Sequence, residues 1–329
     1  MMMLVTGGAG FLGRRVVREL VREGCRVRCF LRPSTRIDDL RECVGTRDWH
    51  AVETFRGDLQ DPDDCRRAVA GADIVFHVAA GLSGGAAVLF ANTVMPTRQL
   101  VAACETEGVK RFVHVSSLGV YGAGSLRRHA LLDESCPVDP HPHLRDPYTY
   151  SKIVQEQVCR EAFERGRLPL VVIRPGVIYG PGRGLLSNRI GLTLGGTLVR
   201  FGSRRPLPYV YVDHCATAIR QAGLTPGIEG ETFNVLDDHL PTAREVLAAC
   251  RRAGRPVRSL WLPESAIGPL SSLYERYSRW SEGQLPAVLT RYRSDAMWKP
   301  LKFSNARARE RLRWAPHLSF EETAQLSLA

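Results

Sequence analysis

At 329 residues, with 44% hydrophobic and 24% charged residues, the chain has an ordinary globular composition and enough length for one large α/β domain plus a smaller lobe. Its formal net charge of +11 is carried by scattered pairs such as Arg66-Arg67, Arg127-Arg128, Arg204-Arg205 and Arg251-Arg252, a pattern that argues against a nucleic-acid stripe. No apolar run approaches the roughly 20 residues that a membrane span needs, which excludes stable insertion in a bilayer as the expected state.

The first predicted strand, Met2–Thr6, leaves no room for a signal peptide ahead of the fold, so the expected location is cytoplasmic. A helix over Gly13–Glu23, a strand Val27–Leu31, a strand Val52–Arg56, a helix Pro62–Val69 and a strand Ile74–Val78 come next. The alternation continues through a helix around Met95–Thr106, the strand Phe112–Ser116, a long loop to Asp146, a helix from Pro147 to about Arg165, and the strand Leu170–Arg174. Strands alternating with helices predict an α/β fold of the Rossmann type, a doubly wound parallel sheet with ligands at the carboxyl ends of its strands.

After Gly180-Pro181-Gly182 the pattern loosens, and the rest is expected to build a smaller, discontinuous C-terminal substrate lobe. The expected division is 1–180 for the dinucleotide-binding domain, with 208–238 returning to it, and 181–207 plus 239–329 for the lobe. The returning part comprises the strand Pro208–Val212, a helix near His214–Ala222 and the strand Thr232–Val235. Leu260, Trp261, Ile267, Leu270, Leu273, Tyr274 and Tyr277 recur at partly helical spacing within Leu260–Ser281 and predict a buried helix, in preference to a membrane-surface helix or a lid. Nine cysteines without a CxxC pair, several of them in apolar runs (Cys25, Cys29, Cys215), suit reduced, buried thiols.

The first turn carries the chemistry. Gly7-x-x-Gly10-x-x-Gly13 comes after a strand and opens a helix, the context that makes a glycine motif a dinucleotide cradle. Gly7 permits the tight turn, Gly10 lets backbone N–H groups approach a pyrophosphate, and Gly13 lets helix and strand pack closely. NAD-using folds place an acid after the second strand to bind the ribose hydroxyls. Here that strand ends Phe30-Leu31-Arg32-Pro33, with no acid until Asp38. Arg32 can pair with a 2′-phosphate, so NADP is favoured over NAD, unless Arg32 stacks on the adenine or simply faces solvent.

Further along, Pro147 suits a first helical turn, and the four-residue spacing puts Tyr148 and Lys152 on one helix face. A phenol is a poor base near neutrality, but an adjacent ammonium favours the phenolate, so the pair is expected to exchange a substrate proton. Tyr150, with Val154 four residues on, is the weaker candidate. His141-Pro142-His143 lacks a nearby Cys or acid to complete a zinc set, and no metal is expected.

The spacing Gly7-x-x-Gly10-x-x-Gly13, succeeded in order by Gly57-Asp58-Leu59, His77-Val78-Ala79-Ala80, Val115-Ser116-Ser117, Tyr148-x-x-x-Lys152, Arg174-Pro175-Gly176 and Tyr179-Gly180-Pro181-Gly182, resembles the extended short-chain dehydrogenase/reductase family, which includes NAD-dependent epimerases and dehydratases. The resemblance spans nearly the whole chain. It implies that Phe11 and Leu12 lie within the cofactor loop, that Asp58 and Leu59 flank the adenine, that Ala79 and Ala80 pass beside the cofactor, and that Pro175 and Val177 lie near the nicotinamide. It also implies a catalytic Ser117 beside the substrate oxygen, chosen over Ser116 by counting back from Val120-Tyr121-Gly122. Asn92 matches the family's cofactor-side asparagine, with a helix cap as the competing role. Asp213-His214 matches an aspartate that usually supports the fold.

The stretches Leu285–Arg291, Phe303–Arg309 and Trp314-Ala315-Pro316 are similar to the family branch related to 3β-hydroxysteroid dehydrogenases. That resemblance implies reversible, NAD(P)-dependent hydride transfer at a secondary alcohol or ketone of a small-molecule substrate, steroid-like or of β-keto type. A nucleotide-sugar epimerase or dehydratase is the alternative, with Arg200, Arg204 and Arg205 holding a pyrophosphate. A dinucleotide sensor without turnover is the minor one, and it fits poorly with the retention of Ser117, Tyr148 and Lys152. A homodimer built on helices of the large domain is expected, with no nucleic-acid partner.

Overall fold

The computed structural model describes residues 1–202, 204–282, 284 and 288–329. Seven strands, β1 (Met2–Thr6), β2 (Arg26–Leu31), β3 (Val52–Arg56), β4 (Ile74–His77), β5 (Arg111–Val115), β6 (Leu170–Pro175) and β7 (Thr232–Val235), form one parallel sheet in the order β7-β6-β5-β4-β1-β2-β3. The chain steps outward from β1 to β3, crosses back, and steps outward from β4 on the other side. The order therefore reverses between β1 and β4, and an open α/β sheet leaves its crevice there, outside the carboxyl ends of the strands.

Side chains alternate across the sheet with the period of two that a pleated strand imposes. Met3 and Val5, Val113 and Val115, and Val171 and Ile173 enter one buried cluster with Val16 and Leu20 of helix α1 (Gly13–Arg22) and with Cys215 and Ile219 of the later helix Val212–Leu224. Leu4, Phe112, Leu170 and Val172 enter the opposite cluster, against Leu100 and Cys104 of helix α2 (Ala86–Glu107) and Cys159 of helix α3 (Pro147–Glu164). Burial on both faces is why runs such as Leu170–Ile173 are continuously apolar. None of the nine cysteines is paired with another.

The largest departure in element length is α2, which begins nine residues ahead of the expected Met95 and runs through Pro96. A proline there forfeits the bond to the Asn92 carbonyl and mimics a first-turn residue in the sequence. The helix continues past it because Leu89, Thr93 and Val94 are buried by doing so.

Beyond β6, the strand Val177–Tyr179 pairs in parallel with Tyr209–Tyr211 as a separate two-stranded sheet. Helix α4 (Val212–Leu224) comes directly after, and its Asp213 bridges Arg15 and Arg18 of α1 at 3.2 and 3.1 Å. His214 Nδ1 meets Asp237 Oδ1 at 2.8 Å, so the Asp213-His214 pair locks elements together. A three-stranded sheet of Gly191–Leu194, Thr197–Phe201 and Ser259–Leu262, with helices α5 (Ile267–Trp280) and α6 (Arg291–Trp298), closes a small second core around Phe201, Ile267 and Trp298.

The segment Leu260–Ser281 is not the expected buried helix. Ser259–Leu262 is a strand, and α5 turns Ser271 and Ser278 inward while Leu270, Leu273, Tyr277 and Trp280 face out. Its inner side is held by small polar contacts, Ser271 Oγ to Ser294 Oγ at 2.7 Å. Of the stretch Leu285–Arg291, residues 285–287 lie outside those described.

One buried carboxylate registers α3 on the sheet. Glu156 accepts from Arg174 of β6 at 2.5 and 3.1 Å, from Arg160 at 2.7 Å and from the Ser116 hydroxyl at 2.6 Å. Burial opposes its ionisation, but Arg174, Arg160 and Ser116 outweigh that and hold its pKa down to about 2. Removing one partner strands the others, at a cost of about 3–5 kcal/mol for a buried pair. Glu156→Gln is therefore expected to lower the unfolding free energy by about 3 kcal/mol or more in urea titrations. Because the folded pKa lies below the ordinary 4.5, the wild-type contribution is full above that value and is lost as pH falls towards 2. A variant with the wild-type urea midpoint and the same acid limb would remove this role from Glu156.

Candidate active site

β1 ends at Thr6, and the chain turns through Gly7 at φ 71°. A Cβ on Gly7 would lie 3.0 Å from the Ala79 backbone, and one on Gly13 only 2.0 Å from the Gly7 carbonyl oxygen. Neither position accepts a side chain, and the turn brings α1 close against the sheet. α1 starts there with no side-chain cap and no acid in its first turn, so its positive end is open to an anion. It faces a cleft of about 900 Å3 at the carboxyl ends of the strands. The tight glycine turn and the uncapped helix start fit the chemistry of a dinucleotide.

The structure brings the expected cofactor and catalytic residues to the wall of this one cleft: Gly7, Gly10, Phe11, Leu12 and Gly13 of the loop; Arg32, Asp58 and Leu59; Ala79, Ala80 and Asn92; and Ser117, Tyr148, Lys152, Pro175 and Val177. Arg32 is exposed at the end of β2 and makes no ion pair among the described residues. The first acid after β2, Asp38, is paired with Arg36 at 3.2 Å. Arg56 braces the loop between them by donating to the carbonyls of Pro33 and Thr35 at 2.6 and 3.1 Å. Asn92 lies inside α2, whose N-cap is Gly85, so the competing role as a helix cap is ruled out. Tyr150 is set against Phe90, ring centroids 6.4 Å apart.

The two serines separate by their partners. Ser116 is buried and its hydroxyl donates to Glu156, whereas Ser117 lines the cleft and accepts from the Gly119 N–H at 3.1 Å, leaving its own O–H free to donate. That hydroxyl lies against the Tyr148 phenol and favours its ionised form. Burial nonetheless raises the Tyr148 pKa, aided by Asp146 and opposed by Arg183 and Ser117. Lys152 does not depress it as the sequence led us to expect. Its ammonium donates instead to the Val115 carbonyl at 2.7 Å and to Gln155 Oε1 at 2.8 Å, and burial lowers its own pKa to about 8.

Behind Lys152 runs a buried polar chain that the sequence reading missed. The Gln155 amide donates to Thr97 Oγ1 at 2.8 Å and lies 3.1 Å from His77 Nε2, and His77 Nδ1 meets Thr6 Oγ1 at 2.8 Å. Thr97 gives its proton to the Thr93 carbonyl, so the 2.8 Å contact of His77 Nε2 with Thr97 Oγ1 is made by an Nε2–H donor, and Nδ1 accepts from the Thr6 hydroxyl. Burial, with Lys152 adding, lowers the His77 pKa to about 3 and keeps the ring neutral. The available signal was the spacing, because Gln155 is three residues beyond Lys152 and shares its helix face.

The substrate end of the cleft is walled by Leu192, Leu289, Met297 and Trp298, with Arg189 among them. Arg189 donates to the carbonyls of Ala296 and Met297 at 3.4 and 3.0 Å and has no carboxylate partner among the described residues. Burial, with Arg145 and Arg205 adding, pushes its pKa down to about 10, so it stays charged at neutrality. Arg200, Arg204 and Arg205, expected as pyrophosphate ligands under the epimerase alternative, do not line the cleft. Arg205 is buried and donates to the Trp298 and Arg189 carbonyls, while Arg204 is exposed.

Residues 3–235 match the model of the NAD-dependent epimerase/dehydratase family. A 2-alkyl-3-oxoalkanoate reductase of Stenotrophomonas maltophilia is 30% identical over 339 aligned residues, covering 98% of this chain and 97% of that protein. A 3-beta-hydroxysteroid dehydrogenase of Mycolicibacterium neoaurum is 31% identical over 76% of this chain and 70% of its own length. Among solved structures, the UDP-glucose 4-epimerase of Thermus thermophilus in complex with NAD superposes with a TM-score of 0.70 at 25% identity, over all of this chain and 98% of that one.

The Lys152 environment makes a direct prediction. With only four lysines in the chain, 15N-lysine NMR should resolve one amine that titrates at about 8. Gln155→Glu, which sets a carboxylate where the amide oxygen was, should move that midpoint upward because an opposite charge favours the ammonium. A Lys152 amine that titrates at the ordinary lysine value, or one indifferent to Gln155→Glu, would contradict the arrangement.

Proposed function

This chain belongs to the NAD-dependent epimerase/dehydratase family, and from that premise we propose that it is an oxidoreductase that moves hydride reversibly at a secondary alcohol or ketone, with a β-keto acid as the substrate type. The observation that carries the reading is the meeting, in one cleft, of the open helix start at Gly13, the Ser117–Tyr148 hydroxyl pair and an apolar wall that includes Arg189.

When bound, the nicotinamide supplies or accepts the hydride. Gly7, Gly10 and Gly13 would hold the pyrophosphate, and Asp58, Leu59, Ala79, Ala80, Asn92, Pro175 and Val177, which line the same cleft, would hold the rest of the cofactor. Tyr148 gives its phenolic proton to the substrate oxygen during reduction and takes it back during oxidation. Ser117 donates a hydrogen bond to the same oxygen as negative charge develops on it. Lys152 supplies a fixed positive charge beneath the site, held by Val115 and Gln155.

Because burial raises the free phenol, Tyr148 holds its proton before turnover, the state that proton donation in reduction requires. Arg189, a cation without a carboxylate partner among the described residues, suits a substrate carboxylate. The 2-alkyl-3-oxoalkanoate relative supports that class. The apolar wall suits the rest of such a molecule. A nucleotide-sugar substrate is disfavoured because Arg200, Arg204 and Arg205 do not line the cleft, Arg205 being occupied by the Trp298 and Arg189 carbonyls. Arg32 favours NADP over NAD. We further propose a cytoplasmic homodimer joined through helices of the large domain, with residues 181–207 and 239–329 supplying most of the substrate lobe.

Tyr148→Phe should lower kcat by about a hundredfold or more, the usual weight of a positioned general acid, with cofactor affinity unchanged. Retained turnover would remove the proton from Tyr148. Fluorescence titration should show NADPH bound more tightly than NADH, and Arg32→Ala should cost roughly tenfold in NADPH affinity alone. Equal binding of the two cofactors would remove that role. Arg189→Met should raise KM for a β-keto acid and leave a neutral ketone unaffected. An equal effect on both would show that Arg189 does not read the carboxylate.

A further inference from the structure

α5 is built inside out. Its inward positions carry Ile267, Ser271 and Ser278, and its outward stripe carries Leu270, Leu273, Tyr277 and Trp280, which are 41, 64, 52 and 77% exposed. The spacing of three, four and three residues keeps these four side chains on one face. Tyr277 and Trp280 stack on each other with centroids 5.8 Å apart. Hydrophobic burial would normally turn such a stripe inward, so its exposure calls for a covering phase.

We propose that this face of α5 docks on a bilayer with anionic headgroups. Arg276 and Arg279 flank the stripe on the same helix, and both are exposed. The helix's one acid, Glu275, is half-buried and accepts from the Arg291 backbone N–H. A basic helix with Leu, Tyr and Trp on its apolar face is the composition of an interfacial helix, and its arginines complement anionic lipid. A second copy is the poorer occupant. A two-fold contact sets the same patch against itself, and here that would bring basic faces of a chain with net charge +11 together. At 14 residues α5 is a surface helix, and no helix among the described residues is long and apolar enough to cross a membrane.

The position of α5 gives the contact a use. Ser294 and Trp298 of α6 line both the substrate end of the main cleft and a second hollow of about 440 Å3 whose other wall includes Ile267, Pro269 and Ser272 of α5. Val288, 59% exposed, lies at the lip of the main cleft. Docking through α5 would set the apolar end of the cleft beside the lipid, where a long-chain ketone resides. That use rests on the function proposed above, whereas the docking itself does not.

Sedimentation of the full chain with vesicles, one set of phosphatidylcholine alone and one of phosphatidylcholine with phosphatidylglycerol in equal parts, tests the docking without any turnover. The chain should sediment with the anionic vesicles, be released by high salt, and leave the neutral vesicles largely unbound. Leu273→Ser with Trp280→Ser should abolish sedimentation with NADPH binding intact. Absence of binding to anionic vesicles by the wild type overturns the proposal, even should the double variant fail to fold. So does retained binding by a folded double variant, or a dimer in gel filtration that the double variant dissolves, which would assign the face to a second copy. Loss of reductase activity with vesicle binding intact would count against the proposed function and leave the docking standing.

Discussion

The head of the cleft depends on a charge that never meets the substrate. Glu156 is buried among Arg174, Arg160 and Ser116, and it sits one turn beyond Lys152 and two beyond Tyr148 on the same helix. Arg174 reaches it from β6, and Ser116 from the chain just past β5. The carboxylate thus fixes both the rotation of α3 and its height over the sheet. A desolvated ion pair is a costly way to gain stability, but its donors come from β6, from the end of β5 and from α3 itself, so it ties those elements together. The same constraint divides the neighbouring serines by occupying Ser116 and leaving Ser117 to the cleft.

A second buried system begins one residue earlier. Gln155 connects Lys152 to His77 and Thr97, and through His77 to Thr6 at the end of β1. The lysine is thereby tied to the strand that launches the glycine loop. The two halves of the site, the dinucleotide cradle and the hydroxyl pair, are coupled through side chains as well as through the sheet. Neutral His77 suits this arrangement, since a second positive charge beside Lys152 would be unfavourable at that depth.

Much of the fold was legible because doubly wound sheets write plainly. Apolar runs such as Leu170–Ile173, separated by helical patterns, gave all seven sheet strands to within a residue or two. The glycine spacing located the crevice because only Gly7 and Gly13 tolerate the contacts found there. Signals failed where tertiary context overrode local pattern. Pro96 masked the first nine residues of α2. The apolar spacing of Leu270, Leu273 and Tyr277 identified a helix, but periodicity does not say which side of a helix is the inside. Gln155 and Arg189 were missed for a different reason, the spacing of Gln155 from Lys152 being the one local signal. Their partners, His77 and Thr97 for one and the carbonyls of Ala296 and Met297 for the other, lie far away in the chain.

The central claim, that this cleft moves hydride to a carbonyl carbon while Tyr148 supplies the proton, is tested most directly by following the hydride itself. Reduced nicotinamide cofactor deuterated at C4 should be incubated with the full chain and a β-keto acid, and the alcohol examined by mass spectrometry and NMR. One of the two cofactor diastereomers should deliver a single deuterium to the carbinol carbon. Consumption of the ketone with no deuterium at that carbon from either diastereomer, or no consumption of any ketone by a chain that binds the cofactor, would contradict the account.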